Sequence, residues 1–129
     1  MIREILFRGK DADSGLWCYG DLTFSRDRKP YIRFWAHNGY LVREVMPETV
    51  GQFTGFVDKN KKRIFEDDIL ASTYEEENVV HELVLWYNNG WHIRWKQAEP
   101  DVIWQQDMDR YSEVVGNIWD NPELLEVGR

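Results

Sequence analysis

Hydrophobic and polar residues alternate along most of this chain, which is the pattern of β-strands that lie on a core. The clearest case is residues 79–96 (VVHELVLWYNNGWHIRWK). Residues 79–87 carry apolar side chains on both faces, as expected of a strand in the middle of its sheet. Asn88-Asn89-Gly90 follows, and Asn-Gly favours a tight turn because both residue types tolerate positive φ. Residues 91–96 then alternate with period two, so we predict a β-hairpin here.

The first third of the chain shows the same pattern in shorter pieces. Strands are predicted at 2–8, 16–24, 31–36 and 40–46. Polar or glycine-containing turns separate them, at the spacing typical of an all-β sheet or barrel. Gly20 lies inside the second predicted strand and is expected to mark a β-bulge. These segments predict an antiparallel meander.

The remainder predicts further short strands and little helix. The strands are expected at 52–54, 62–66 and 69–71, and one or two helical turns at 101–110. Asn121 and Pro122 suit the N-cap and first position of a short C-terminal helix. We predict one mainly β domain over 1–129, with a possible subdivision into a meander (1–47) and a barrel-like part (48–129). The barrel is expected to be SH3-like.

Composition and charge narrow the classes of protein. Hydrophobic residues make up 43% and aromatic residues 15%, which excludes a disordered chain. The formal net charge of −7 disfavours nucleic acid and anionic membranes as partners, although a local basic patch could still bind nucleic acid. Cys18 is the single cysteine and cannot form an intramolecular disulfide. We expect a cytoplasmic protein in its host cell, with no signal peptide or membrane span.

Residues 51–70 (GQFTGFVDKNKKRIFEDDIL) contain the candidate polar site. A calcium loop starting at Asp58 fails, because its fifth, sixth and twelfth positions are Lys, Arg and Ile. The spacing of a phosphate-binding loop is also absent. Glu66 and Asp68 could share a face of a strand, but two carboxylates bind Mg²⁺ only weakly. We retain Thr54, Asp58, Glu66 and Asp68 as weak binding candidates, and we expect no metal site and no cofactor.

The histidines and tryptophans give the remaining candidates. The expected hairpin register places His92 opposite Trp86 or Tyr87, away from His81, so no zinc site is predicted. No catalytic motif for a nucleophilic serine or cysteine is present. Trp91 and Trp95 either fill the core or form an exposed patch for a peptide, a sugar or a second subunit.

Three segments resemble the YopX family of bacteriophage and prophage proteins. TVGQFTGFVDKNKKRIFEDDILA is similar to the family pattern v-G-q-y-T-G-l-x-D-k-n-G-k-x-I-y-E-G-D-I-v. LWCYGDL resembles the opening W-x-Y-G-D-L, and SEVVGNIWDNPELL resembles the closing E-V-I-G-N-I-x-x-N-P-E-L-L. Lys61 and Asp67 stand where the family pattern has glycine. The resemblance implies a mainly β, phage-encoded protein and no established reaction.

Three functions therefore remain as hypotheses. The first is a non-enzymatic accessory protein that contacts a host or phage protein, with a homo-oligomer as a further possibility. The second is a nucleic-acid-associated small β-barrel. The third and weakest is a metal-assisted hydrolase that uses Asp58, Glu66 and Asp68.

Overall fold

Two antiparallel sheets contain most of the residues described by this computed structural model, which are 3–75 and 78–125. The mainly β class predicted from the alternating pattern is confirmed. The strands are β1 (Phe7–Lys10), β2 (Trp17–Phe24), β3 (Pro30–Ala36), β4 (Gly39–Glu44), β5 (Gly51–Val57), β6 (Arg63–Phe65), β7 (Asp68–Glu75), β8 (Asn78–Tyr87), β9 (Gly90–Trp95), β10 (Asp101–Val102) and β11 (Ser112–Asn117). The helices are α1 (Gln105–Tyr111) and two 3₁₀ turns, Pro47–Thr49 and Pro122–Leu125.

The strand orders are those of open sheets. One sheet has the order β4-β3-β2-β1-β5-β6 and the other β10-β9-β8-β7-β11. In the described residues neither sheet closes on itself, so the SH3-like barrel is not confirmed. The chain divides into two compact units, one ending at Phe53 and one starting at Thr54. This boundary lies later than the subdivision expected after residue 47. The two are called the N-terminal and C-terminal units below.

The N-terminal unit contains the predicted meander, with corrections at three strands. β1 covers Phe7–Lys10, where it pairs with β2, so residues 3–6 of the predicted strand are not part of it, and residue 2 lies outside the described residues. β4 ends at Glu44, and Val45 instead forms an isolated bridge with Asp11. The predicted bulge at Gly20 is wrong, since its pairing is regular. A Cβ at Gly20 would collide with the backbone carbonyl of Arg33, so glycine is needed for close approach of two strands.

The C-terminal unit is built around one apolar cluster and the predicted hairpin. The buried cluster comprises Ile64, Leu70, Val84, Ile93, Ile103 and Met108. β8 is the middle strand of its sheet, as its two apolar faces predicted. The turn residues Asn88 and Asn89 both have positive φ, at 49° and 59°. Because the turn is one residue earlier than expected, His92 pairs with Leu85, and the predicted partners Trp86 and Tyr87 are wrong.

The helix predicted at 101–110 is displaced. Asp101 and Val102 pair with β9 as a short strand, and α1 follows at Gln105–Tyr111. Met108 is the buried side chain of α1. The short C-terminal turn is confirmed at Pro122–Leu125. None of the described helices has the length and apolar content needed to span a membrane.

Candidate interaction surface

Thr54 joins β5 to β6 at the start of the C-terminal unit. Its hydroxyl donates to the carbonyl of Ile64 at 2.7 Å and accepts the N–H of Phe56 at 3.1 Å. The next residue, Gly55, has a φ of 91°, which a residue with a side chain rarely adopts. The hydroxyl therefore holds the backbone on both sides of a sharp change of direction.

Asp58 is almost fully buried, at 1% exposure, and its carboxylate organises the turn between β5 and β6. One carboxylate oxygen accepts the N–H groups of Asn60 and Lys62, at 2.8 and 2.9 Å. The other accepts the N–H of Val114, at 2.9 Å, from β11. A charged acceptor forms the stronger class of hydrogen bond with such donors. Asp58 thus joins a local turn to a strand 56 residues away in the sequence.

Glu66 is the first residue of the two-residue turn between β6 and β7, and Asp68 is the first residue of β7 after it. Asp68 is buried and accepts the N–H of Phe65 at 2.7 Å, which closes the turn between β6 and β7. Glu66 is half-buried within the turn itself. In residues 3–75 and 78–125, no group of three or more His, Cys, Asp or Glu side chains is arranged to hold a metal ion. The structure shows backbone-supporting contacts for Thr54, Asp58 and Asp68, and their binding roles stay predictions.

Trp91 and Trp95 differ in their surroundings on the predicted hairpin. Trp91 is half-buried and packs against the apolar cluster, with its ring centroid 4.9 Å from that of Trp86. Trp95 is exposed, and the Lys96 ammonium lies 4.8 Å from its ring centroid. Trp91 therefore belongs with the core, and Trp95 is the accessible member of the pair.

Sequence reasoning missed a buried polar network around Glu82. The Tyr74 hydroxyl donates to the Glu82 carboxylate at 2.9 Å, and the buried Ser72 and Ser112 hydroxyls pair at 2.8 Å. Burial raises the pKa of Glu82, and the charge of Asp101 raises it further. Hydrogen bonds from Ser72 and Tyr74 lower this pKa and so partly oppose the increase. Burial and the nearby Glu82 charge also raise the pKa of Tyr74. The signal for this network was a single acid on the apolar face of residues 79–87.

A second feature missed from the sequence is an exposed aromatic surface on the N-terminal unit. The pairing register puts the side chains of five residues of β2, β3 and β4 on the same side of the sheet. These residues, called the aromatic face below, are Tyr19, Arg33, Trp35, Tyr40 and Val42. All five are exposed to solvent. The alternation in YIRFWA contained the pattern, but not which side faces solvent.

Trp35 and Tyr40 form the centre of the aromatic face. They are paired residues of β3 and β4, with exposures of 64% and 59%. Their ring centroids are 5.0 Å apart with an 82° angle between the ring planes, which is a favourable edge-to-face contact. The Arg33 guanidinium lies 4.5 Å from the Tyr40 ring centroid and 3.2 Å from the Asp21 carboxylate. The aromatic face therefore offers ordered rings and a guanidinium to solvent.

The charge of the chain is divided unequally between the units. Residues 1–53 carry eight Lys or Arg and seven Asp or Glu, a formal net charge of +1. Residues 54–129 carry eight Lys or Arg and sixteen Asp or Glu, a formal net charge of −8. The acidic character of the whole chain therefore says nothing about the aromatic face, which belongs to the nearly neutral unit.

Comparison with known families gives a match over most of the chain. The family model described as YopX protein matches residues 6–126. The chain belongs to the YopX family. Among solved structures, the crystal structure of protein EF1440 from Enterococcus faecalis is similar, with a TM-score of 0.63 at 20% identity over 96% of this chain and 99% of that chain. At this identity the similarity shows a shared fold. None of the curated proteins matches the chain.

Two left-handed backbone positions coincide with the two departures from the YopX pattern quoted above. Lys61 and Asp67 occupy positions where the YopX pattern has glycine, and their φ angles are 66° and 70°. Glycine adopts this left-handed region freely, whereas a residue with a Cβ does so at a cost. The backbone at both positions therefore has the left-handed conformation that glycine favours, although residues with side chains occupy them in this chain.

Proposed function

We propose that this YopX-family chain is a non-enzymatic protein-interaction module of a phage or prophage. It acts in the cytoplasm of the host cell and binds a host or phage protein through the aromatic face. The observation that carries the proposal is the exposed Trp35–Tyr40 pair beside Arg33. Tryptophan, tyrosine and arginine are the residue types that most often dominate binding energy at protein interfaces.

A nucleic-acid partner is the second candidate. The net charge of +1 on residues 1–53 disfavours it less than the net charge of −7 on the whole chain does. Exposed aromatic rings beside arginine can stack on bases with little sequence preference. Against this, Arg33 already forms an ion pair with Asp21 on the same face. A surface that binds a phosphate backbone needs an excess of basic residues, and the N-terminal unit has an excess of one. A protein partner therefore has the stronger support.

The metal-assisted hydrolase has the least support, because Asp58 is already used in backbone hydrogen bonds. Catalytic carboxylates need accessible oxygen atoms for a metal or a substrate. Both oxygens of Asp58 accept backbone N–H groups, and the residue is buried. Its geometry is that of a structural carboxylate.

Affinity purification with matched variants tests the proposal. The tagged wild type, Trp35→Ala and the control Trp104→Ala are recovered from host cells during phage induction. Trp104 is also exposed, at 61%, but lies in the C-terminal unit. We expect a protein that co-purifies with the wild type and Trp104→Ala and is lost with Trp35→Ala, because truncation removes a central interface ring.

Two outcomes would contradict the proposal. Recovery of the same proteins with Trp35→Ala would show that the aromatic face does not bind them. Recovery that disappears after nuclease treatment would instead favour the second candidate. Circular dichroism of Trp35→Ala confirms that a loss of binding is not a loss of folding.

A further inference from the structure

Strand β4 is the edge of its sheet, and its outward backbone groups can be assigned. The connection between β3 and β4 has two residues, and Ala36 pairs with Gly39 to close it. The Val45 N–H donates to the Pro30 carbonyl at 3.1 Å, so odd-numbered positions near β4 bond towards β3. Hydrogen-bonded and non-hydrogen-bonded pairs alternate in antiparallel strands. The N–H and C=O groups of Tyr40 and Val42 therefore point away from β3.

The open part of this edge is short and has two defined ends. At one end, the Glu44 carbonyl accepts the N–H of Ala12 at 2.9 Å, and Val45 forms a bridge with Asp11. At the other end, β4 begins after the turn at residues 37–38. The open edge is thus residues 39–43, and its outward backbone groups belong to Tyr40 and Val42.

Within the open edge, Tyr40, Leu41 and Val42 present apolar side chains on both faces of the strand, and the charged Arg43 follows them. Tyr40, Leu41 and Val42 are 59%, 39% and 47% exposed. Edge strands are commonly protected from pairing by a proline, a bulge or a charge that points inward. The pairing of β3 with β4 is regular, and residues 39–42 contain neither a proline nor a charged residue. The edge is therefore suited to accept another strand.

We propose that a second copy of this chain pairs with the open edge, with β4 antiparallel to β4 around a two-fold axis at Leu41. In this register Leu41 lies opposite Leu41 of the second copy, and Tyr40 lies opposite Val42 of the second copy. The two Tyr40–Val42 pairs are hydrogen-bonded pairs, and each such pair exchanges two backbone bonds. All the outward N–H and C=O groups of Tyr40 and Val42 are then used.

The dimensions and charges of the edge fit a second copy. A two-fold axis at Leu41 pairs residues 39–43 of one copy with residues 43–39 of the other. Pairing therefore stops at the turn of one copy and at Glu44 of the other, whose carbonyl is already bonded to Ala12. Arg43 lies opposite Gly39, so the two Arg43 positions are about 14 Å apart along the strand. That separation exceeds the Debye length of about 8 Å at physiological salt. The register thus satisfies the backbone without opposing like charges.

This contact goes beyond the proposed function and does not depend on it. Trp35 lies on β3 and takes no part in the β4–β4 pairing. A perpendicular two-fold axis would continue the aromatic face of one copy into that of the other. Because only about five residues per copy pair, we expect a weak dimer that forms with increasing concentration.

Sedimentation velocity from micromolar to millimolar protein tests the dimer. We expect a concentration-dependent dimer for the wild type and for the control Leu16→Lys, which changes an exposed leucine outside the edge. Val42→Pro removes an outward N–H and leaves the bonds to β3, so it should weaken association at least tenfold. Trp35→Ala should dimerise like the wild type, which separates this contact from the proposed function.

A charge exchange at Leu41 tests the register. Leu41→Lys and Leu41→Glu should each be monomeric, because like charges would face each other across the axis. An equimolar mixture should form a heterodimer, because the opposite charges then face each other. This pair of variants keeps the test valid if Val42→Pro fails to fold.

Three outcomes would overturn the inference. A wild type that stays monomeric to millimolar concentration excludes the dimer. The dimer is then excluded even if the edge binds a foreign peptide. A dimer that persists in folded Val42→Pro excludes pairing through β4. A mixture of the two Leu41 variants that remains monomeric excludes the axis at Leu41.

Discussion

The two units of this chain differ in their buried side chains and in their charge, although both expose large apolar side chains. In the C-terminal unit, six apolar side chains from strands, a connection and a helix form a buried cluster. In the N-terminal unit, Ile32 and Val45 are fully buried, while Trp35 and Tyr40 face solvent. The C-terminal unit also carries the excess of negative charge. The C-terminal unit therefore combines the apolar cluster with the negative charge, and the N-terminal unit presents the aromatic face in a nearly neutral setting.

This difference separates recognition of the family from function. Several residues that match the YopX pattern, such as Thr54, Asp58 and Asp68, hold backbone groups in the C-terminal unit. The aromatic face lies outside that segment. A sequence motif can thus identify a family through residues that shape its backbone, while the contact surface lies elsewhere. The predictions below test this division, starting with the largest expected effect.

Replacement of Asp58 should produce the largest loss of stability. Asp58→Ala leaves three backbone N–H groups without their acceptor, and buried unpaired donors cost about 1–3 kcal/mol each. Allowing for partial access of water, we expect a loss of about 4 kcal/mol in the free energy of unfolding. Urea denaturation measures it, and Asp13→Ala at an exposed position is the control. A loss below about 1 kcal/mol would show that Asp58 does not support the unit.

Truncation of one apolar side chain in each unit compares them directly. Ile64→Ala removes a fully buried side chain and should cost about 3 kcal/mol. Trp35→Ala removes a larger but exposed side chain and should change stability by less than about 0.5 kcal/mol. Chemical denaturation of both variants gives the comparison. Equal losses would contradict the assignment of Trp35 to a contact surface.

Glu82 should make the stability of the C-terminal unit decrease as the pH rises. Below its ordinary pKa of 4.5, Glu82 is protonated in both the folded and the unfolded chain and carries no penalty. As the pH rises through the raised pKa of the folded state, a buried group must ionise, and this part of the stability is lost. Glu82→Gln cannot ionise, so its stability relative to the wild type should increase with pH.

Denaturation of the wild type and Glu82→Gln between pH 4 and pH 8 measures this effect. We expect it to be smaller than that of a core truncation, because hydrogen bonds from Tyr74 and Ser72 partly compensate the buried charge. Glu113→Gln, at a half-buried glutamate 3.9 Å from Lys59, serves as the control. Parallel pH curves for the wild type and Glu82→Gln would contradict the role of the buried carboxyl.

A small gain in stability should come from restoring glycine to the tight turn. Lys61→Gly relieves a left-handed backbone angle and should increase the free energy of unfolding by about 1 kcal/mol. The neighbouring Lys62→Gly removes the same charge where no such angle is relieved, so it should be neutral or destabilising. Thermal unfolding ranks the three proteins. Equal melting temperatures for the two variants would show that the angle carries no cost.

The sequence allowed the strands to be predicted better than the contacts among them. The alternation of residues 79–96 and the Asn-Gly turn located the hairpin, but left-handed Asn88 shifted the register by one residue. The residues around Asp58 predict a turn, but they do not show whether its carboxylate is solvated or buried. Only the distant Val114, brought next to Asp58 by β11, makes it a buried acceptor. The solvent-exposed side of β3 likewise depends on packing that local alternation does not specify.

The hydrogen bond from Val114 to Asp58 has a consequence for the order of folding. The turn around Asp58 can form from local residues. The second carboxylate oxygen of Asp58, however, gains its hydrogen bond only when Val114, 56 residues further along the chain, is in place. Closing a long loop costs more entropy than closing a short one, so long-range pairings tend to form slowly. During synthesis, this carboxylate therefore stays hydrated until β11 has left the ribosome. The C-terminal unit cannot complete this contact before Val114 has been made.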